Sequence, residues 1–313
     1  MKRMNRRRFI AMGAGSGAAA LVAGGGWASA RGAAGPGAAG GRIQHSIVHW
    51  CFGENGEKWD IERMCRVARQ LGCRSIELIP YACYPVLKRF GLVCAITQID
   101  MGSDPPFVKG FNDPHHWPRV MKATRDAIDL AAANGSPNVI CFTGFGARDP
   151  ENPDSPRVSK EEGARNCVAG LKQVVGYAEQ KKVTLCLEIL NSRATDHPMK
   201  GHAGYQGDHA DYCIEIIRQV GSPRLKLLFD IYHVQVMDGD VIRRIREYRD
   251  LIGHVHTAGN PGRNELDDRQ EIHFPPIMRA LVDAGYRGYV GHEFIPTGDP
   301  YQSLRKAIRT CDV

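Results

Sequence analysis

The chain has 313 residues, with 41 Lys and Arg against 34 Asp and Glu, a formal net charge of +7. Five of the bases (Lys2, Arg3, Arg6, Arg7, Arg8) and none of the acids fall in the first thirty residues, so 36 bases face 34 acids in the remainder, about +2. A nearly neutral body excludes a nucleic acid or an anionic membrane as the reason for the basic balance.

Asn5-Arg6-Arg7-Arg8-Phe9-Ile10 opens a basic, then Gly- and Ala-rich stretch that closes on Ala28-Ser29-Ala30. This resembles a twin-arginine signal peptide over residues 1–30 with a small-residue cleavage site. It predicts the twin-arginine export machinery as a partner and a periplasmic or otherwise exported mature chain. The apolar run is too short and too glycine-rich to favour a membrane anchor. Residues 31–41, RGAAGPGAAGG, read as a flexible linker. Residues 42–313 match the roughly 250 residues of one (β/α)8 TIM barrel.

HSIVHWCF (45–52) is the first predicted strand, and DIERMCRVARQLG (60–72) a helix stopped by Gly72. SIELIP (75–80) is the second strand; Glu77 inside it reads equally as a salt-bridge partner or a substrate contact. LVCAIT (92–97) is the third strand, followed by a long helix closed by Gly135. NVICFTG (138–144) is the fourth, and Ser159 with Glu162 forms a capping box for the next helix. TLCLEIL (184–190) is the fifth, followed by an irregular stretch of lid length carrying His197, His202 and His209. LKLLFD (225–230), GHVHTAG (253–259) and GYVGHEFI (288–295) are strands six to eight, each followed by a helical segment. Strict alternation means parallel βαβ units, and eight of them suggest a closed barrel. No GxGxxG follows the first strand, which leaves a dinucleotide site without support. The ten cysteines include no CxxC pair, and several sit in strand-like runs, so buried free thiols are expected.

Functional residues of such a barrel lie at the C-terminal ends of the strands. Glu188, Asp230, His256 and Glu293 meet that condition on the neighbouring strands five to eight. Three carboxylates and one imidazole suit a divalent metal ion, Mg²⁺, Mn²⁺ or Co²⁺. Glu188 and Glu293 then form an acid–base pair: one removes a proton beside a polarised carbonyl and the other returns one to the adjacent carbon, through an enediolate. That is aldose–ketose isomerisation or epimerisation. His233 stands where the sixth strand is expected to become loop, within reach of a substrate oxygen. Arg263, in AGNPGRNE, reads equally as a carboxylate or phosphate receptor and as a solvated arginine. His254 is expected to be a hydrogen-bonded core histidine.

LCLEILNSR, LLFDIYHVQVMDGD, IGHVHTAGNPGRNE and GYVGHEF resemble the hydroxypyruvate isomerase family of the xylose isomerase-like TIM barrels. The similarity spans nearly all of residues 42–313. It implies Glu188 and Glu293 as the acid–base pair and Glu188, Asp230, His256 and Glu293 as metal ligands. It also implies His233 and Arg263 beside the substrate, and interconversion of hydroxypyruvate and 2-hydroxy-3-oxopropanoate. One position departs: where cytoplasmic members tend to have glutamine, this chain has His256, the habit of the sugar epimerases. A ketose is therefore the alternative to a small hydroxy-keto acid. A homo-oligomer is compatible with the sequence.

Overall fold

Short apolar runs alternate with amphipathic stretches along the chain, and each becomes a strand or a helix. The computed structural model describes residues 41–313 except 153, 196 and 198; the export signal expected at 1–30 and linker residues 31–40 lie outside the described residues. The strands are β1 (Gln44–Val48), β2 (Ser75–Glu77), β3 (Ile96–Thr97), β4 (Asn138–Cys141), β5 (Thr184–Glu188), β6 (Leu225–Asp230), β7 (Ile252–Thr257) and β8 (Tyr289–His292). The α-helices are α1 (His49–Gly53), α2 (Ile61–Gln70), α3 (Tyr84–Arg89), α4 (Trp117–Asn134), α5 (Lys160–Lys181), α6 (Ala210–Val220), α7 (Ile231–Met237), α8 (Val241–Glu247), α9 (Phe274–Asp283) and α10 (Pro300–Cys311).

All strand pairs are parallel, in the order β2-β1-β8-β7-β6-β5-β4-β3. The Ile76 N–H donates to the Val93 carbonyl and the Leu78 N–H to that of Ile96, both at 3.1 Å, which brings the two ends of the sheet together. The result is the expected α/β barrel of eight strands. Its strands are buried on both faces, as their continuous apolar runs require. The cysteines are free, and all but Cys83 are buried. Local signals fix several helix ends. Asp60 accepts the Arg63 N–H at 2.7 Å, Ser159 accepts that of Glu162 at 3.2 Å, and Gly135 closes α4 in a left-handed turn with φ of 72°.

Several strands are shorter than the sequence reading, β3 being only Ile96–Thr97 of the expected 92–97, and three places differ in kind. The first strand stops at Val48, and the HWCF that follows it winds into α1. A helix, α3, fills the connection before β3; Pro85 stands in its first turn, where a missing N–H costs nothing. The chain after Asp230 is helical rather than loop, because the Asp230 carboxylate caps α7. Its Oδ1 accepts the N–H groups of Tyr232 at 2.8 Å and His233 at 3.3 Å.

Candidate active site and metal centre

Strand register brings the four expected ligands together. Asp230 lies level with His256 on β7, which lies level with Gly291 on β8, two residues before Glu293. Glu188 lies level with Leu228, two residues before Asp230. Side chains two apart share a face, so all four point into the barrel at its C-terminal rim. Each offers one ligand atom, and these atoms lie within 4.8 Å of one another. His256 Nδ1 is 2.8 Å from Glu293 Oε2 and 3.5 Å from Glu188 Oε1. Tyr205 steadies the rim by donating to the Glu188 carbonyl at 2.8 Å while accepting the Thr143 N–H at 3.0 Å.

Glu77 settles the orientation of His256. It is fully buried, and its Oε1 receives His256 Nε2 at 2.8 Å and His254 Nε2 at 2.9 Å. A carboxylate only accepts, so Nε2 of His256 carries hydrogen. In the neutral ring Nδ1 then faces the three rim carboxylates with its lone pair. Gly291 makes the room: a Cβ there would lie 2.3 Å from Glu77 Oε1 and 2.8 Å from His256 Cδ2. Burial works against the Glu77 charge, but His254 and His256 outweigh it and pull the carboxyl down to about 2. Glu77→Gln keeps the shape and removes the charge that selects this tautomer. It is expected to weaken Mn²⁺ binding by about 10- to 100-fold. Calorimetric titration measures this beside a far-UV spectrum that reports an intact fold, and an unchanged affinity would refute the role.

The cluster is short of positive charge. Burial pushes the carboxyl of Glu188 up in spite of the His256 contact, with Glu293 and Asp230 adding to it. Burial likewise raises Asp230, against Arg263. Glu293 goes the other way: Arg263, His256 and the Trp50 N–H overcome burial and hold it well below the usual carboxylate range. Burial alone would lower His256, yet Glu293, Glu188 and Glu77 keep it well above its ordinary value. Glu188 Oε1 and His256 Nδ1 are buried, with each other at 3.5 Å and Glu293 Oε2 at 2.8 Å from the imidazole as their polar neighbours. Three carboxylates and one imidazole turned toward one another fit a hard or borderline divalent cation.

Arg263 is buried and turned inward by a left-handed backbone with φ of 54°. Its Nη1 donates to the Met199 carbonyl at 2.5 Å; its Nη2 donates to Glu293 Oε2 at 2.6 Å and sits 3.5 Å from Asp230 Oδ2. His233 is fully buried. Its Nδ1 accepts the Asn191 N–H at 3.0 Å, and its Nε2 lies 3.6 Å from Asp230 Oδ2. It is absent from the walls of the cavity that opens above the cluster, which Glu188, Glu293, Arg263 and His202 do line. His202 and Met199 bring the connection after β5 over that cavity of about 530 Å³. Sequence reading missed Trp50, whose indole N–H donates to Glu293 Oε1 at 3.0 Å. The one available signal was an aromatic residue near the end of the run read as the first strand.

A family model described as xylose isomerase-like TIM barrel matches residues 65–311. A human protein named "Putative hydroxypyruvate isomerase" is 35% identical over 246 residues, covering 76% of this chain and 85% of that one. The chain belongs to the hydroxypyruvate isomerase family, a family of isomerases. A 2-oxo-tetronate isomerase of Cupriavidus necator is 34% identical over 119 residues, 38% of this chain and 43% of that one. Among solved structures, a 3-keto-D-glucoside 4-epimerase from E. coli superposes with a TM-score of 0.68 at 20% identity. That match covers 86% of this chain and 100% of the other, and it bears on the fold alone.

Proposed function

We propose that this isomerase depends on a divalent metal ion and moves a proton between adjacent carbons of an α-hydroxycarbonyl substrate through an enediolate. The observation that carries the reading is the convergence of Glu188 and Glu293, from different strands, on His256 Nδ1 at 3.5 and 2.8 Å, with both lining the cavity. Glu188, Asp230, His256 and Glu293 would hold the ion. A bound divalent cation supplies Lewis acidity that lowers the cost of negative charge on a substrate oxygen. The two glutamates take and return the proton at neighbouring carbons. Arg263 and Trp50 hold Glu293 in place through its two oxygens. His233 supports Asp230 from behind the cavity wall, its backbone N–H donating to Asp230 Oδ1 at 3.3 Å.

The names of the relatives support hydroxypyruvate and 2-hydroxy-3-oxopropanoate as the interconverted pair. The test follows hydroxypyruvate in D₂O with Mn²⁺ or Mg²⁺ by NMR. The expected result is the aldehyde product carrying solvent deuterium, and loss of exchange on chelation. Absence of exchange in hydroxypyruvate and in ketoses with either metal would overturn the isomerase reading. The mature chain is further proposed to act outside the cytoplasm. Cell fractionation should find a shortened protein in the periplasm, and Arg6→Lys with Arg7→Lys should retain it at full length inside; periplasmic delivery of that double variant would contradict export by this route.

A further inference from the structure

Six histidines are buried among the described residues: His45, His202, His233, His254, His256 and His292. Five of the rings bond another side chain. His45 pairs with His292, which also meets Thr257; His233 meets Asn191; His254 and His256 meet Glu77. His202 is the exception. No described residue hydrogen-bonds its ring, and the ring lines the cavity above the cluster. A polar side chain only 3% exposed that has no protein partner is costly unless something else meets it.

The chain around His202 is held at several points. Its N–H donates to the Asn191 carbonyl at 2.7 Å, and its carbonyl accepts the Tyr205 N–H at 3.0 Å. Asn191 Nδ2 and the Tyr232 hydroxyl both donate to the Lys200 carbonyl, at 2.7 and 2.8 Å. Gly201 lets this connection close on itself, since a Cβ there would lie 2.2 Å from the Ala194 carbonyl oxygen. The His202 ring rests against Phe107, with centroids 4.3 Å apart. Its position is therefore set before a ligand arrives, which lowers the ordering cost of a contact. Burial and the nearby Arg263 push its pKa down to about 3, so the ring is neutral and offers one N–H and one lone pair. It is not one of the four groups whose ligand atoms lie within 4.8 Å of one another.

We infer that His202 hydrogen-bonds a substrate oxygen that the rim cluster does not hold, and so fixes how the substrate lies in the cavity. This rests on the isomerase reading and adds a binding residue to its site. A ligand that fills the cavity covers the ring, and one with an oxygen in reach supplies the partner that the protein does not. A contact to an oxygen that does not react is made alike in substrate and transition state, so its loss raises KM more than it lowers kcat.

The test titrates hydroxypyruvate and D-fructose into the Mn²⁺-loaded parent and three variants by calorimetry, with KM and kcat measured beside it. His202→Phe keeps a ring against Phe107 and removes both nitrogens. It should weaken binding of whichever compound the parent holds more tightly by about tenfold and raise its KM alike, with a smaller change in kcat. His202→Asn and His202→Gln place an amide where Nδ1 and Nε2 stand, and one of them should restore affinity to within about threefold of the parent. Far-UV spectra and Mn²⁺ affinity should match the parent in all three. Turnover with parental KM in His202→Phe would overturn the inference and leave the isomerase standing. Equal losses in all three variants, with weaker Mn²⁺ binding, would reduce His202 to a support of its loop and would also overturn it. Binding that falls in His202→Phe and returns in an amide variant, with no turnover of either compound, would support the contact and remove the isomerase reading.

Discussion

Glu293→Gln is expected to lower turnover by about 10²- to 10⁴-fold, the usual contribution of a positioned proton-transfer group. The amide has the size of the carboxylate and can still accept the Trp50 N–H that now reaches Oε1 at 3.0 Å. It cannot carry a proton between substrate carbons. The variant should keep a metal ion, loosely, because Glu188, Asp230 and His256 remain, and it should keep its far-UV spectrum. Measuring kcat beside metal content separates the two losses. A variant that isomerises at the parental rate would show that the two-glutamate mechanism is wrong.

Arg263→Met should cost about 3–5 kcal/mol of unfolding free energy in the presence of a chelator. The guanidinium is buried, 2.6 Å from Glu293 and 3.5 Å from Asp230, and its removal leaves those carboxylates uncompensated. Added Mn²⁺ should recover part of that loss, since the same carboxylates would surround it. An arginine that served only to receive substrate would leave stability near the parental value and raise KM. Denaturant titration with and without metal distinguishes the two, and an unchanged midpoint without metal would remove Arg263 from the clamp role.

The convergence of Glu188, Asp230, His256 and Glu293 at the rim was legible because each closes or follows a short apolar run, and a lone carboxylate or imidazole there stands out. The barrel was legible from the same alternation. Glu77 was visible as a strand acid, but its task was not, because its partners His254 and His256 are 177 and 179 residues away in sequence. Asp230 looked like a plain strand end; Ile231 and Val234 continue the apolar run, and only the cap geometry shows that a helix begins there. Trp50 was hidden inside a run that reads as strand throughout. Arg263 could not be placed, since its inward turn depends on a left-handed backbone that a neighbouring Pro and Gly suggest without fixing. The cavity-lining Phe107, Phe142 and Phe145 left no sequence signal, because the connections after β3 and β4 contribute them without a common period.

Elemental analysis of the protein purified without added metal, run beside Asp230→Asn and paired with turnover, reaches the central claim most directly. One divalent ion per chain in the parent, with occupancy and turnover falling together in the variant, is the predicted result. Full turnover by a parent that carries no metal, or full occupancy in the variant, would contradict the idea that residues 188, 230, 256 and 293 share one cation.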